Sequence, residues 1–475
     1  MKKAIIFSLS ALLLSTSCVD NLTDYNVDPK NPATVPGVAL FSNAERSLTR
    51  TVISTNVNSN PFRLYVQYWA QTSYPQESRY DIANRQINRN FWDALYTQVL
   101  SNLNESKKLI PNNQFISNKV KANQQACVEI LAVYTWKTLV DTYGNVPYTE
   151  ALNFANTQPK YDDAKAIYAS LFTRLDAALA ALDPTADGMG SADILYNGDV
   201  ASWVKFGNSL KLRMALTIAD DDDAKARAAT AQAAPKVFTA VGDRTQLQFV
   251  ASPPNTNPLW EDLVQSGRYD FVGTTVLINR LKAMSDPRLP YYFKEAPAGG
   301  FIGGPYGAQN NYNSFSAPGV KLEDPTLPGV LMSYSEVEFL LAEAAARGYL
   351  PAISTISHYN AGITASILEA GGTTADATTY LAQPTVAYLT ATGTYKQKIG
   401  IQKWIALYDQ PVVAWTEWRR LDSPALVKPA RGLTEIPLRF PYPTTELNLN
   451  GANRAAAAAA MGGDAVTTKI FWDKF

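Results

Sequence analysis

The sequence predicts a predominantly all-α protein: an α–α superhelix of tetratricopeptide-like helix pairs, with long loops and a few short strands. Three observations point there. Several long segments carry apolar residues at helical spacing. These segments come in pairs joined by short turns. Strand patterning is confined to Gln246–Val250 and Tyr291–Phe293.

The chain opens on a different kind of segment. Met1–Lys3 is basic, Ala4–Leu14 is apolar apart from Ser8 and Ser10, and the small residues Ser15, Thr16 and Ser17 precede Cys18. This is the plan of a cleaved secretory signal over residues 1–17, too short to span a bilayer. A cysteine directly after small residues reads as the lipidated first residue of a bacterial lipoprotein, although Ser15 stands where a strict lipobox has Leu. Acyl chains on Cys18 would be the protein's hold on a membrane. Residues 18–36 carry Pro29, Pro32 and Pro36 and read as an extended tether. Residues 37–475 read as a single helical domain.

Within Asn84–Ile110, Phe91, Leu95, Val99 and Leu103 form one apolar stripe. Asn118–Val140 repeats the pattern with Cys127, Leu131, Tyr134 and Thr138, and Asp162–Leu182 with Tyr168, Leu171, Leu175 and Leu182. Asp162 and Asp163 suit a helix start, and Pro184 blocks continuation. Asp199–Ala219 carries Trp203, Phe206, Leu210 and Met214. The acidic run Asp220–Asp223 lacks the spaced ligands and glycine of a calcium loop and suits a helix-joining, capping segment. Tyr334–Arg347 and Pro351–Leu368 form a pair around Gly348. Thr394–Gln410 and Val412–Leu421 complete the helical regions.

Composition narrows function. Lys and Arg total 42 and Asp and Glu total 42, so nothing electrostatic points to nucleic acid. His358 is the single histidine and lies in an amphipathic helix pattern. A multi-histidine zinc site is thereby excluded, and a structural role for His358 is favoured over triad chemistry. With Cys18 consumed by lipid, Cys127 is left without an intrachain partner and fits a buried thiol. The residues call for no cofactor, and a structural calcium in a loop stays open.

Two stretches interrupt the helices: Thr72–Arg85 and the longer Ala251–Pro328, which holds one short helix near Thr274–Met284. The long stretch is rich in aromatics among glycines and asparagines, which argues for function rather than disorder. Candidate stacking residues are Tyr74 and Tyr80 from the first stretch and Trp260, Tyr269, Tyr306 and Tyr312 from the second. Gln76, Arg79, Asp81 and Arg268 are the polar candidates, suited to hydroxyl pairs or a carboxylate.

Several blocks together resemble the SusD/RagB-like outer-membrane lipoproteins, in their smaller SusD-like subgroup. They are Tyr25–Pro32 after the lipoprotein start, Trp203–Arg213, Asp286-Pro287-Arg288, Gln402–Leu407, Trp415–Arg420, Gly462-Gly463-Asp464 and Thr468–Asp473. The resemblance implies a scaffold of four tetratricopeptide-like pairs. It also implies a non-enzymatic protein facing the cell exterior, which binds an oligosaccharide or oligopeptide and delivers it to a SusC-like TonB-dependent transporter. Trp203, Phe206, Trp404 and Trp415 follow helical spacing and read as packing residues. Two other classes stay open: a lipid-anchored glycosidase with carboxylates roughly 5–9.5 Å apart, and a structural lipoprotein that binds only protein.

Overall fold

Side-chain caps set where most of the helices begin. The computed structural model describes residues 35–82 and 84–475. The signal sequence, Cys18 and the tether as far as residue 34 lie outside the described residues.

Helix α1 spans Gly37–Ile53. Helix α2 runs continuously through Ile87–Asp93, a π-helical segment Ala94–Leu100, and Ser101–Leu109. Helices α3 (Asn118–Tyr143), α4 (Ala164–Ala181), α5 (Val200–Thr217) and α6 (Asp223–Ala233) are capped by Ser117, Asp163, Asp199 and Asp222. Each cap side chain accepts an N–H of the first turn that has no intrahelical partner. After a short helix α7, made of Pro258–Trp260 and the π-helical turn Glu261–Gln265, come α8 (Thr275–Ala283) and α9 (Tyr334–Ala346). Helices α10 (Thr355–Ala370), α11 (Thr374–Leu381), α12 (Tyr395–Ala406) and α13 (Pro411–Leu421) follow. Sequential helices pack as pairs: α1 on α2, α3 on α4, α5 on α6 and α9 on α10.

The all-α class is therefore the observed one. From Ala126 to Tyr143 every residue of α3 is buried, so this helix runs through the interior rather than along one face. Trp203, Phe206, Trp404 and Trp415 are fully buried, and the three indoles donate to Asp193 Oδ2, the Val66 carbonyl and the Pro437 carbonyl. Cys127 is buried and its thiol pKa is pushed well up by desolvation. His358 Nδ1 lies 2.7 Å from Glu338 Oε2, across the α9–α10 pair.

The acidic run is divided among structural tasks. Asp222 caps α6, and Asp220 bridges Arg347 and Lys396. Asp221 bridges Lys165 and Lys474, and Asp223 accepts from the Tyr349 hydroxyl. Among the described residues no cluster of three or more His, Cys, Asp and Glu is arranged to hold a metal ion. No helix among them is long and apolar enough to cross a membrane.

Strands are short and paired: β1 (Trp69–Gln71) with β5 (Phe271–Gly273), β2 (Val146–Pro147) with β3 (Tyr161–Asp162), and β4 (Thr245–Leu247) with β6 (Gly329–Met332). One strand expectation is corrected. Tyr291 and Tyr292 lie in the helical turn Leu289–Tyr292, and Phe293 makes only an isolated bridge to Pro318. Arg288 grips Asp286 through Nε at 2.8 Å and Nη2 at 2.6 Å, and Pro290 presets a helical φ. That turn overrides the β-propensity of the aromatic run. Gly37–Phe475 forms one compact unit.

Candidate ligand-binding site

The β1–β5 ladder joins the two irregular stretches. Trp69 faces Gly273, Ala70 faces Val272 and Gln71 faces Phe271. The pairing continues one step further: Thr72 N–H donates to the Asp270 carbonyl at 2.9 Å and Thr72 Oγ1 to the Tyr269 carbonyl at 2.6 Å. The start of the first loop and residues 268–270 therefore leave the ladder at the same end.

Buried Gln71 shapes that loop. Its Oε1 accepts from Ser78 N–H (3.0 Å) and Ser78 Oγ (2.7 Å), and its Nε2 donates to the Tyr74 carbonyl (3.0 Å) and Glu77 Oε2 (2.6 Å). The Asn310 side chain donates to the Gln71 carbonyl at 2.9 Å and ties down the segment that carries Tyr306 and Tyr312. Gly303 and Gly304 let this segment press on β5 and α8. A Cβ on Gly303 would lie 2.5 Å from the Thr274 carbonyl oxygen, and one on Gly304 would lie 2.9 Å from Val272 Cγ2.

The candidate residues fall into two groups. Tyr74 and Tyr269 are each 65 % exposed. The Tyr312 ring lies 4.8 Å from that of Tyr269. Arg268 belongs to this outer group and pairs with Asp270 at 2.7 Å. The inner group is different. Tyr80 is 2 % exposed, its ring 5.7 Å from Tyr65 and 6.3 Å from Tyr306. Burial pushes its phenol up to about 12 and that of Tyr306 well above the ordinary value. Tyr80 has no ring face open to a ligand, so its expected stacking role is corrected to packing. Half-buried Tyr306 braces it.

The polar candidates separate in the same way. Arg79 donates from Nε to the Gly307 carbonyl at 2.8 Å and acts as a clasp between the two loops. The Gln76 carbonyl accepts from Asp81 N–H at 3.0 Å, and Asp81 Oδ2 accepts from Asn84 at 3.1 Å. Trp260 lies half-buried on α7, with no ring contact to the tyrosines among the described residues.

A family model described as SusD-like_2, starch-binding and associating with the outer membrane, matches residues 29–443. The chain belongs to this SusD-like family. No curated protein matches the sequence. Solved structures similar to the SusD-like chain include a chitin-binding protein at 26 % identity and a TM-score of 0.81, covering 92 % of this chain and 100 % of that one. A chitin-binding SusD homologue from Flavobacterium johnsoniae gives 24 % identity and 0.78, with coverages of 92 % and 98 %. A SusD homologue from Bacteroides uniformis gives 25 % and 0.75, with coverages of 92 % and 99 %.

The SusD-like chain also has a polar cleft beside the tyrosines that sequence reading passed over. Two adjoining hollows, of about 400 Å³ and 210 Å³, share Asn56, Asn58 and Asp262 as walls. The only sequence signal is a cluster of asparagines, Asn56, Asn58 and Asn60, in the turn after α1. Asp262 accepts the Thr55 hydroxyl at 2.6 Å.

Proposed function

We propose that this protein is a lipid-anchored, outer-membrane glycan-binding protein that takes up an oligosaccharide without cleaving it and passes it to a SusC-like TonB-dependent transporter. The observation that carries the reading is the pair of exposed rings, Tyr74 and Tyr269, delivered to one patch by the β1–β5 ladder from distant parts of the chain. Large aromatic rings held in water by buried polar anchors suit stacking on the apolar face of a sugar. The chitin-binding relative at 26 % identity supports a carbohydrate over a peptide. Anchoring follows from the reading of Cys18, and delivery follows from the family.

The carboxylates beside the patch speak for binding over hydrolysis. Glu261 is clamped by Arg50 through two hydrogen bonds and Asp270 by Arg268, which leaves Asp262 without a free carboxylate as second catalytic group. Calorimetry against an oligosaccharide panel, with an assay for released reducing ends, tests the proposal. Tyr74→Ala and Tyr269→Ala should each weaken binding about tenfold with the melting temperature unchanged. Unchanged affinity in both variants would move the site elsewhere, and released reducing ends would overturn the non-enzymatic reading. Co-purification of a β-barrel partner tests delivery.

A further inference from the structure

The polar cleft and the tyrosine patch are two sides of one lip. Arg268 and Asp270 wall the smaller hollow, and Tyr269, between them, turns instead to Tyr312. Amides and hydroxyls make up most of the other walls. Asn56, Asn58, Asn90 and Gln98 both donate and accept, as sugar hydroxyls require.

The charges of the cleft are unevenly matched. Arg50 is taken by Glu261 at 2.7 Å, Arg85 by Glu77 at 3.0 Å and Arg268 by Asp270 at 2.7 Å. Asp262 faces both hollows and has no ion-pair partner among the described residues; Thr55 supplies its one side-chain hydrogen bond. Burial raises its pKa, Glu261 and Asp270 add to the rise, and Thr55 and Arg50 oppose it. A carboxylate withdrawn from water without a cation recovers its lost solvation when a cationic ligand arrives.

We infer that the preferred glycan carries free amines: the cleft takes a 2-amino-2-deoxy sugar whose ammonium pairs with Asp262, while a neighbouring sugar of the same chain stacks on the tyrosine patch. The inference rests on the glycan-binding reading and adds the ligand's chemical class. An N-acetylated or nitrogen-free sugar fills the same space but leaves Asp262 unpaired. Acidic sugars are disfavoured by the same charge.

The test is calorimetry of the full chain in detergent, slightly below neutral pH, with length-matched chitosan, chitin and cellulose oligosaccharides. Chitosan should bind about tenfold more tightly than the other two, and the advantage should shrink with salt. Asp262→Asn, which keeps an acceptor for Thr55 and hence the melting temperature, should bring chitosan down to the affinity of chitin. Equal affinities in the unaltered protein, or an advantage that survives Asp262→Asn, would overturn the amine inference and leave glycan binding standing. A lysine-rich peptide that outcompetes chitosan and depends on Asp262 would overturn it in favour of a peptide ligand. Tyr269→Ala should weaken all three oligosaccharides; absence of binding by any of the three would overturn both readings.

Discussion

Tyr74 and Tyr80 belong to one short loop and have opposite fates. Tyr74 follows the ladder end into solvent, whereas Tyr80 is packed between Tyr65 and Tyr306. Residue type cannot separate them, because a tyrosine suits a core and a sugar platform equally well. Substitution separates them. Tyr80→Ala should cost about 3–5 kcal/mol of stability, by analogy with other large aromatic truncations in cores, and lower the thermal midpoint. Tyr74→Ala should leave that midpoint in place and affect only ligand binding. Parallel thermal melts of the two variants check the assignment.

At the scale of elements, the site depends on how the second irregular stretch is pressed onto β5. Gly303 touches backbone atoms of Thr274 and Thr275, which cannot rotate away as a side chain would. Gly303→Ala should therefore lift the 301–316 segment and cost about 1–3 kcal/mol. Hydrogen exchange should quicken at the Ser316 N–H, which donates to the Ile302 carbonyl. Ligand affinity should fall as Tyr312 leaves Tyr269. Unaltered exchange across this segment would show that the close approach carries no strain. The helices tell the complementary story. The caps Asp163 and Asp222 are short-range features, and so a charged start of α4 and a capping acidic run before α6 were legible from the chain.

At the scale of the molecule, buried ion pairs stitch the helix pairs together. Arg213 of α5 grips Glu336 of α9 at 2.6 Å, and Arg420 of α13 grips Glu343 of α9 and Glu417 of its own helix, each at 2.6 Å. Lys403 of α12 adds a 2.7 Å pair to Glu417. Burial pushes the Glu417 carboxyl up, but Arg420 and Lys403 outweigh it and hold it well below the ordinary 4.5. Glu343 is lowered in the same sense, with burial opposed chiefly by Arg420. A carboxyl depressed in the folded state contributes stability that is complete above its unfolded pKa and is lost as pH falls through its folded one. The share of the denaturant midpoint that this network supplies should therefore be complete at neutral pH and fall once the pH drops below about 4.5. Glu417→Gln should cost about 3–5 kcal/mol, because it leaves Lys403 buried without its counter-charge and Arg420 with Glu343 alone. A midpoint that ignores both changes would mean that the network contributes nothing net.

The sequence by itself determined the helical class, the order of the main helices, the burial of Trp203, Phe206, Trp404 and Trp415, and the two stretches from which the candidate site is built. Those properties arise from spacing and composition within short windows, which act before any distant contact forms. Tertiary structure decided the rest. It turned Tyr291–Phe293 away from a strand, because Arg288 at the start of their turn is held by Ser366 of α10 and Gln402 of α12 as well as by Asp286. It divided the tyrosines into an exposed patch and a buried support, because the β1–β5 register decides which rings reach water. It also set Asp262 in a cleft with every neighbouring arginine already paired, a fact about long-range charge matching that no local pattern contains.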